Sequence, residues 1–149
     1  MNQPPSPDRL PPHSIELERG VLGCLLLDPA NTLPIVVARI KGRVALFYDR
    51  PHQTIYTHLV ALFEAHSAID VLTVSQALKA SGVLEECGGM AYLSQLADGV
   101  PSAANLTFYL DPLHDLWLRR QVLRICTELA GRSFESEDGL KLLESAEAA

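Results

Sequence analysis

The sequence predicts an all-α protein, on three observations. Apolar residues recur at helical spacing along most of the chain; Ile55, Leu59, Leu62 and Phe63, for example, fall on one face at i, i+4, i+7 and i+8. Cap and turn signals divide the chain at short intervals: Ser14, Asp28-Pro29, Gly42, Gly82, Gly88-Gly89 and Val100-Pro101-Ser102. The two runs that could pass as strands, Pro34–Val37 and Val44–Tyr48, are short and do not alternate. There is no internal repeat.

In chain order, residues 1–12 carry five of the ten prolines and no apolar period, and read as a flexible arm. Ser14 is placed to cap a helix from about Ile15 to Leu27, with Glu16 and Glu18 near the positive end of its dipole. Gly20 and Gly23 weaken that helix intrinsically, which makes sense where another backbone approaches closely. A second helix is expected from about Thr32 to Ile40, and a third from about His52 to His66 after the turn at Phe47–Pro51. Thr73-Val74-Ser75-Gln76 has the form of a capping box for a helix that Gly82 stops. Gly88-Gly89 precedes a short helix carrying Met90, Leu93, Leu96 and Ala97.

The last helical region is the longest and has an unusually wide apolar arc. Leu118, Val122, Ile125 and Leu129 form one stripe; Leu116, Leu123, Cys126 and Ala130 form a second, offset by roughly a third of a turn. Such a helix is expected to pack against two things at once. After Gly131, a loop leading to Ser136-Glu137-Asp138 and the residues Leu140, Leu142 and Leu143 predict the second arm of an antiparallel helical hairpin. That arm reaches Ala148-Ala149 without a stop signal, so the protein is expected to continue.

Composition narrows the function. At 149 residues, 48% hydrophobic and 20% charged, the chain suits one globular domain without a disulfide or metal staple. Three widely spaced cysteines in apolar segments, Cys24, Cys87 and Cys126, suggest reduced, buried thiols and a cytoplasmic protein. No apolar run is long enough for a membrane span, and no signal peptide is apparent. The net charge of −6 favours protein partners over direct binding of nucleic acid, which usually calls for excess Lys and Arg.

No catalytic signature is present. The chain has no G-x-x-x-x-G-K-[ST] phosphate loop, no G-x-S-x-G elbow and no H-E-x-x-H. His13, His52, His58, His66 and His114 lack metal-ligand spacing and read as surface or capping residues. Neither Glu64 with Asp70 nor Glu85 with Glu86 suggests more than solvated helix ends. No catalytic, cofactor or metal residue is therefore assigned.

Four strings occur in order with informative spacing. Pro11-Pro12-His13-Ser14-Ile15-Glu16-Leu17-Glu18, followed by Val21-Leu22-Gly23, resembles the opening P-P-x-S-I-E-A-E-x-x-V-L-G of replicative helicases of the DnaB family. Phe47-Tyr48 with His52, Ile55 and Tyr56 resembles its F-Y-x-x-x-H-x-x-I-F, and Ile69–Val74 its P-I-D-x-x-T-[LV]. Most specific is Gly88–Ala97 with Val100–Asn105 and Tyr109, similar to G-G-x-x-Y-L-x-x-L-A-x-x-V-P-[ST]-A-A-N-x-x-x-Y. The strings span residues 11 to 109, with weaker agreement to the end.

The resemblance implies the N-terminal collar domain of such a helicase: a helical head at 13–110 and a subunit-pairing hairpin at 111–149. It implies dimers within a hexamer, docking of primase, and a helicase loader as a further partner. Single-stranded DNA would be met only through the intact hexamer. No cofactor is implied for this region; ATP and magnesium would belong to a RecA-like motor outside it. Leu116, Trp117, Leu118, Val122, Ile125 and Leu129 are the expected oligomer interface, and Glu16, Tyr92, Leu123 and Leu129 the expected partner-binding residues. The sequence departs from the family at Arg19-Gly20, across 38–46, and at Asp111-Pro112, where a helix break is expected with Asp111 as cap and Pro112 in the first turn. The alternatives are a free-standing loader or adaptor of the same fold, and a small helical nucleic-acid-binding module using Arg119, Arg120, Arg124 and Arg132.

Overall fold

The computed structural model describes residues 9–135 and 138–148. They form helices α1 (Ile15–Leu27), α2 (Pro29–Ile40), α3 (Arg50–Glu64), α4 (Val71–Ala80), α5 (Gly89–Asp98), α6 (Leu106–Ser133) and α7 (Gly139–Glu147), with 3-10 turns at Val44–Leu46 and Ala103–Asn105. Among the described residues there is no strand, and both runs with strand-like composition are helical or 3-10 in part. The fold is all-α.

Helix α1 is the hub. The Ser14 hydroxyl accepts the Leu17 N–H at 3.3 Å, satisfying one of the donors that a helix start leaves open. From Gly20 to Leu26 every residue is buried, and α1 touches α2, α3, α5 and α6. A helix apolar on nearly all sides belongs in the centre of a bundle. Its glycines permit that. A Cβ on Gly23 would lie 2.4 Å from the Leu96 carbonyl oxygen of α5, and one on Gly20 would lie 2.7 Å from the Tyr109 ring of α6. The close approach expected at these glycines is present, to backbone at Gly23 and to a side chain at Gly20.

Helices α2, α3, α5 and α6 pack on α1, and α4 packs on α3 and α5; together they bury Leu33, Phe47, Ile55, Leu59, Leu78, Leu93 and Leu110. Each such side chain contributes about 1.5–3 kcal/mol on burial. Thr32 seals the α1–α2 corner: its hydroxyl lies 2.7 Å from the Asp28 carbonyl and 3.3 Å from that of Cys24.

Several expectations need correction. Helix α2 begins at Pro29 rather than near Thr32, because proline fits the first turn, where its missing N–H is not needed. The box at the start of α4 is formed by Asp70 and Thr73, not Thr73 and Gln76. Asp70 Oδ1 accepts the Thr73 N–H at 2.8 Å, and Thr73 Oγ1 accepts the Asp70 N–H at 2.9 Å. Cys126 is exposed, whereas Cys24 and Cys87 are buried as expected. His52, read as a surface or capping residue, is buried.

The largest correction concerns Asp111-Pro112. The chain does not break there; α6 runs through without interruption. Leu106, Leu110 and Leu113, at i, i+4 and i+7, are all buried and anchor both sides of the proline. Pro112 itself is exposed, and Asp111 is ion-paired with Arg39 of α2 instead of capping a new helix. A proline inside a helix costs about 3 kcal/mol, an amount that the burial of three leucines exceeds.

Beyond Leu113 no residue of α6 is fully buried. Helix α7 folds back against α6, with Asp138 Oδ1 accepting the Leu140 N–H at 3.0 Å. Ser136 and Glu137 of the expected cap lie outside the described residues, as do residues 1–8 of the expected flexible arm at 1–12. No helix among the described residues is long and apolar enough to cross a membrane.

Candidate functional site

The half of α6 outside the core carries the expected interface residues. Leu118 is 44% exposed and Val122 59%. Leu116, Trp117, Ile125 and Leu129 are half-buried. The first stripe therefore divides, with Leu118 and Val122 open to solvent and Ile125 and Leu129 partly covered. Trp117 has intramolecular contacts: the Arg43 guanidinium lies 5.2 Å from its ring centre, and the His114 ring lies at 5.6 Å. Leu123, at 49%, opens a second direction, and Phe134, Leu140 and Leu143 extend the exposed apolar area to the loop and α7. Single exposed leucines are ordinary, but several on one hairpin make it the candidate surface of this chain.

The four expected partner-binding residues lie on three elements. Glu16 is exposed in the first turn of α1, within 3.4 Å of the Ser14 hydroxyl. With Arg19, Gln95 and Tyr109 it lines an open groove of about 220 Å³. Tyr92 is half-buried on α5, whereas Leu123 and Leu129 sit on outer α6. The Tyr92 hydroxyl already has a partner within the head, His52 Nε2 at 2.7 Å. A larger groove, of about 600 Å³, lies between the α1–α2 corner and the start of α6, lined by Leu27, Ile35, Ala103 and Thr107 among others. None of the expected interface or partner-binding residues lines it, although Pro101, Ser102, Ala103 and Ala104 of the most specific string do.

The sequence reading assigned no role to the buried polar cluster that joins three helices of the head. Glu18 is fully buried, and its Oε2 lies 2.6 Å from Nδ1 of His52, which is 1% exposed. The Tyr48 N–H donates to Glu18 Oε1 and the Asp49 N–H to Oε2. With Nδ1–H donating to the carboxylate, Nε2 accepts the Tyr92 hydroxyl, so α1, α3 and α5 are joined by one chain of hydrogen bonds. The Tyr92 ring stacks near that of His52 at 6.0 Å, with the Arg19 guanidinium 5.8 Å from its centre. Burial raises the Tyr92 hydroxyl above its ordinary value, with Arg19 opposing. Glu18 and His52 are closed to any substrate, and the arrangement serves as a tie between helices. One sequence signal pointed to it. Glu18 precedes Val21, Leu22 and Leu25 at i+3, i+4 and i+7, and so shares their apolar face.

The arginines considered for nucleic-acid binding are largely committed. Arg120 is half-buried and donates to three backbone carbonyls. Arg124 lies near Gln121 and Glu128, and Arg119 is 3.5 Å from Asp115. Arg132 occupies the last turn of α6. Arg120 is thus turned inward, whereas Arg119 and Arg124 stay on the surface beside carboxylates of their own helix.

Similarity to known proteins agrees with this architecture. The family described as DnaB-like helicase N terminal domain matches residues 10–115. The chain is 38% identical over 136 residues to the replicative DNA helicase DnaB of Geobacillus stearothermophilus, covering 91% of this chain and 29% of that protein. It is 37% identical to the corresponding helicase of Rhodothermus marinus, over 94% of this chain and 15% of that protein. The chain thus spans less than a third of the length of these relatives. Its fold is similar to a crystal structure of the N-terminal domain of DnaB helicase from Mycobacterium tuberculosis, with a TM-score of 0.83 at 29% identity, over 93% of this chain and 96% of that one. The seven helices among the described residues, the α6–α7 hairpin and the four ordered sequence strings thus have one common source: the chain belongs to the DnaB-like helicase N-terminal domain family.

Proposed function

We propose that the chain acts as the N-terminal collar of a replicative DNA helicase, assembling subunits and docking primase, without catalysis of its own. In this reading residues 13–110 form the head and 111–149 the pairing hairpin. Pairs of chains join through outer α6 and α7, and three pairs complete a hexamer. A motor using ATP and magnesium, and the contact with single-stranded DNA, belong to the rest of the intact protein, which works in the cytoplasm. Primase and a helicase loader are the expected protein partners, with Glu16, Tyr92, Leu123 and Leu129 as candidate contacts.

The observation that carries self-association is the exposed apolar cluster of Leu118, Val122, Leu123, Leu140 and Leu143 on one hairpin. A helical protein gains by covering such a face, at about 25 cal/mol per Å² of apolar surface removed from water. Sedimentation of the purified chain tests this, with Leu118→Asp and Val122→Asp as variants. Both side chains are open, so the substitutions spare the core. The expected result is a wild-type dimer or larger assembly that falls to monomer in the variants. A wild type that stays monomeric at high concentration, or variants that assemble unchanged, would overturn the assignment.

A further inference from the structure

Helix α6 has its last fully buried residue at Leu113, yet it continues as one rod for about five further turns. Its direction beyond the core therefore depends on what holds it just after it leaves. Two side chains do so. Trp117 packs partly against the head, with Arg43 over its ring. One turn further on, Arg120 reaches back to two separate stretches of chain. Its Nη1 donates to the Pro12 carbonyl at 2.9 Å; its Nη2 donates to the Ala45 and Leu46 carbonyls at 2.8 and 2.9 Å.

These acceptors are loop carbonyls, one just before α1 and two in the 3-10 turn that precedes α3. Arg120 also lies 5.7 Å from the Tyr48 ring centre, and that ring stacks on His13 at 4.3 Å. One guanidinium thus gathers the entrance to α1, the turn before α3 and the rod of α6. The planar fork of arginine can satisfy several acceptors at fixed angles, which a lysine ammonium on a flexible stem cannot do. Burial lowers the Arg120 guanidinium below its ordinary value, while the charge of Glu18 and the Tyr48 ring oppose that shift. The same rod is weakened upstream, because Pro112 has no N–H to offer the carbonyl four residues earlier.

We propose that Arg120 is the latch that sets the angle at which α6 leaves the head, and so positions the apolar face of outer α6 and α7 relative to it. Releasing the latch frees the hairpin to tilt about its root while the head stays folded. The proposal rests on the reading of that face as the assembly surface, but its test is made within one chain and does not depend on assembly.

The experiment is a distance measurement by pulsed electron resonance on the whole chain. One spin label sits on exposed Cys126 of α6 and the other on Lys79→Cys, an exposed position of α4. Labelled protein is diluted into an excess of unlabelled chain, so that only distances within one chain are read. The wild type is expected to give one narrow distribution. Arg120→Ala should widen it about twofold or more, with Arg120→Lys in between, while helix content and cooperative melting persist. An unchanged width in a folded Arg120→Ala protein would overturn the latch and leave Trp117 as the holding contact. Loss of folding in both variants would also overturn it, by making Arg120 a requirement of the head itself. Failure of self-association with a wide Arg120→Ala distribution would overturn the assembly reading and leave the latch standing.

Discussion

Glu18 on α1 and His52 on α3, thirty-four residues apart in sequence, meet at 2.6 Å with neither side chain reaching solvent. A carboxylate in such a place is retained only with its bonds complete, and Glu18 has them: the imidazole at one oxygen and the N–H groups of Tyr48 and Asp49 shared over both. Among the described residues no buried side-chain nitrogen or oxygen lacks a partner. Removing either member leaves the other's buried polar group without its partner, which costs about 1–3 kcal/mol and more where that group is charged. Glu18→Ala and His52→Ala should each destabilise by that amount in urea denaturation. The double variant should cost clearly less than the sum. Additive losses would show that the two residues stabilise independently.

Tyr92→Phe isolates the outer end of the same chain. It keeps the ring under Arg19 and removes only the hydroxyl that His52 Nε2 holds at 2.7 Å. The expected loss is about 1–3 kcal/mol, the cost of a buried acceptor left unmet. Sedimentation of this variant should match the wild type, since the change lies within the head.

Gly23 tests the tightness of the α1–α5 contact. Gly23→Ala would place a methyl 2.4 Å from a backbone oxygen that cannot turn aside. Overpacking of this kind costs about 1–3 kcal/mol, more than the gain in helix propensity of roughly 1 kcal/mol returns. A melting temperature that rises in this variant would refute the close approach.

Pro112 should behave in the opposite way. Pro112→Ala restores a hydrogen bond on an exposed face and leaves Leu110 and Leu113 in place. The gain is up to about 3 kcal/mol from helix propensity. About 0.4–1 kcal/mol of it is lost as the unfolded chain becomes freer. Thermal unfolding should shift upward; a downward shift would mean that the proline ring makes a contact worth more than the bond it removes.

The cysteines give a chemical readout of the fold. Burial raises the Cys24 thiol to about 11 and pushes Cys87 above its ordinary value as well, whereas Cys126 is exposed. A thiol reagent near neutral pH should modify Cys126 promptly and the other two only after denaturation, because the thiolate is the reacting form. The sign for stability follows from the proton. The folded chain holds it on Cys24 up to about 11, against 9.0 for the free group. Raising the pH from about 9 towards 11 therefore favours the unfolded chain. Rapid modification of all three thiols in the folded protein would contradict the buried positions.

The helices were legible because their causes are local. Periodic apolar residues, Ser14 as a cap and the glycine breaks each act within a few residues. The resemblance was legible for the same reason, as ordered strings. Asp111-Pro112 misled because local chemistry favours a break there, and only the burial of Leu106, Leu110 and Leu113 against the head overrides it. His52 was placed outside because a lone histidine carries no sign of burial until Glu18 stands beside it. Cys126 was placed inside because an apolar stripe does not state which of its residues a single chain covers.

The sequence by itself determined the class, the positions of most helices, the family and the stripe on the last long helix, all through interactions of short range or through the order of motifs. The tertiary structure decided which polar groups are enclosed and which apolar ones are left open. Glu18, His52 and Tyr92 are brought together from three helices, and Arg120 is bound to carbonyls 74, 75 and 108 residues away. Contacts of that span depend on how helices pack around α1, because each needs two distant segments held at hydrogen-bond distance, and no local pattern encodes that distance.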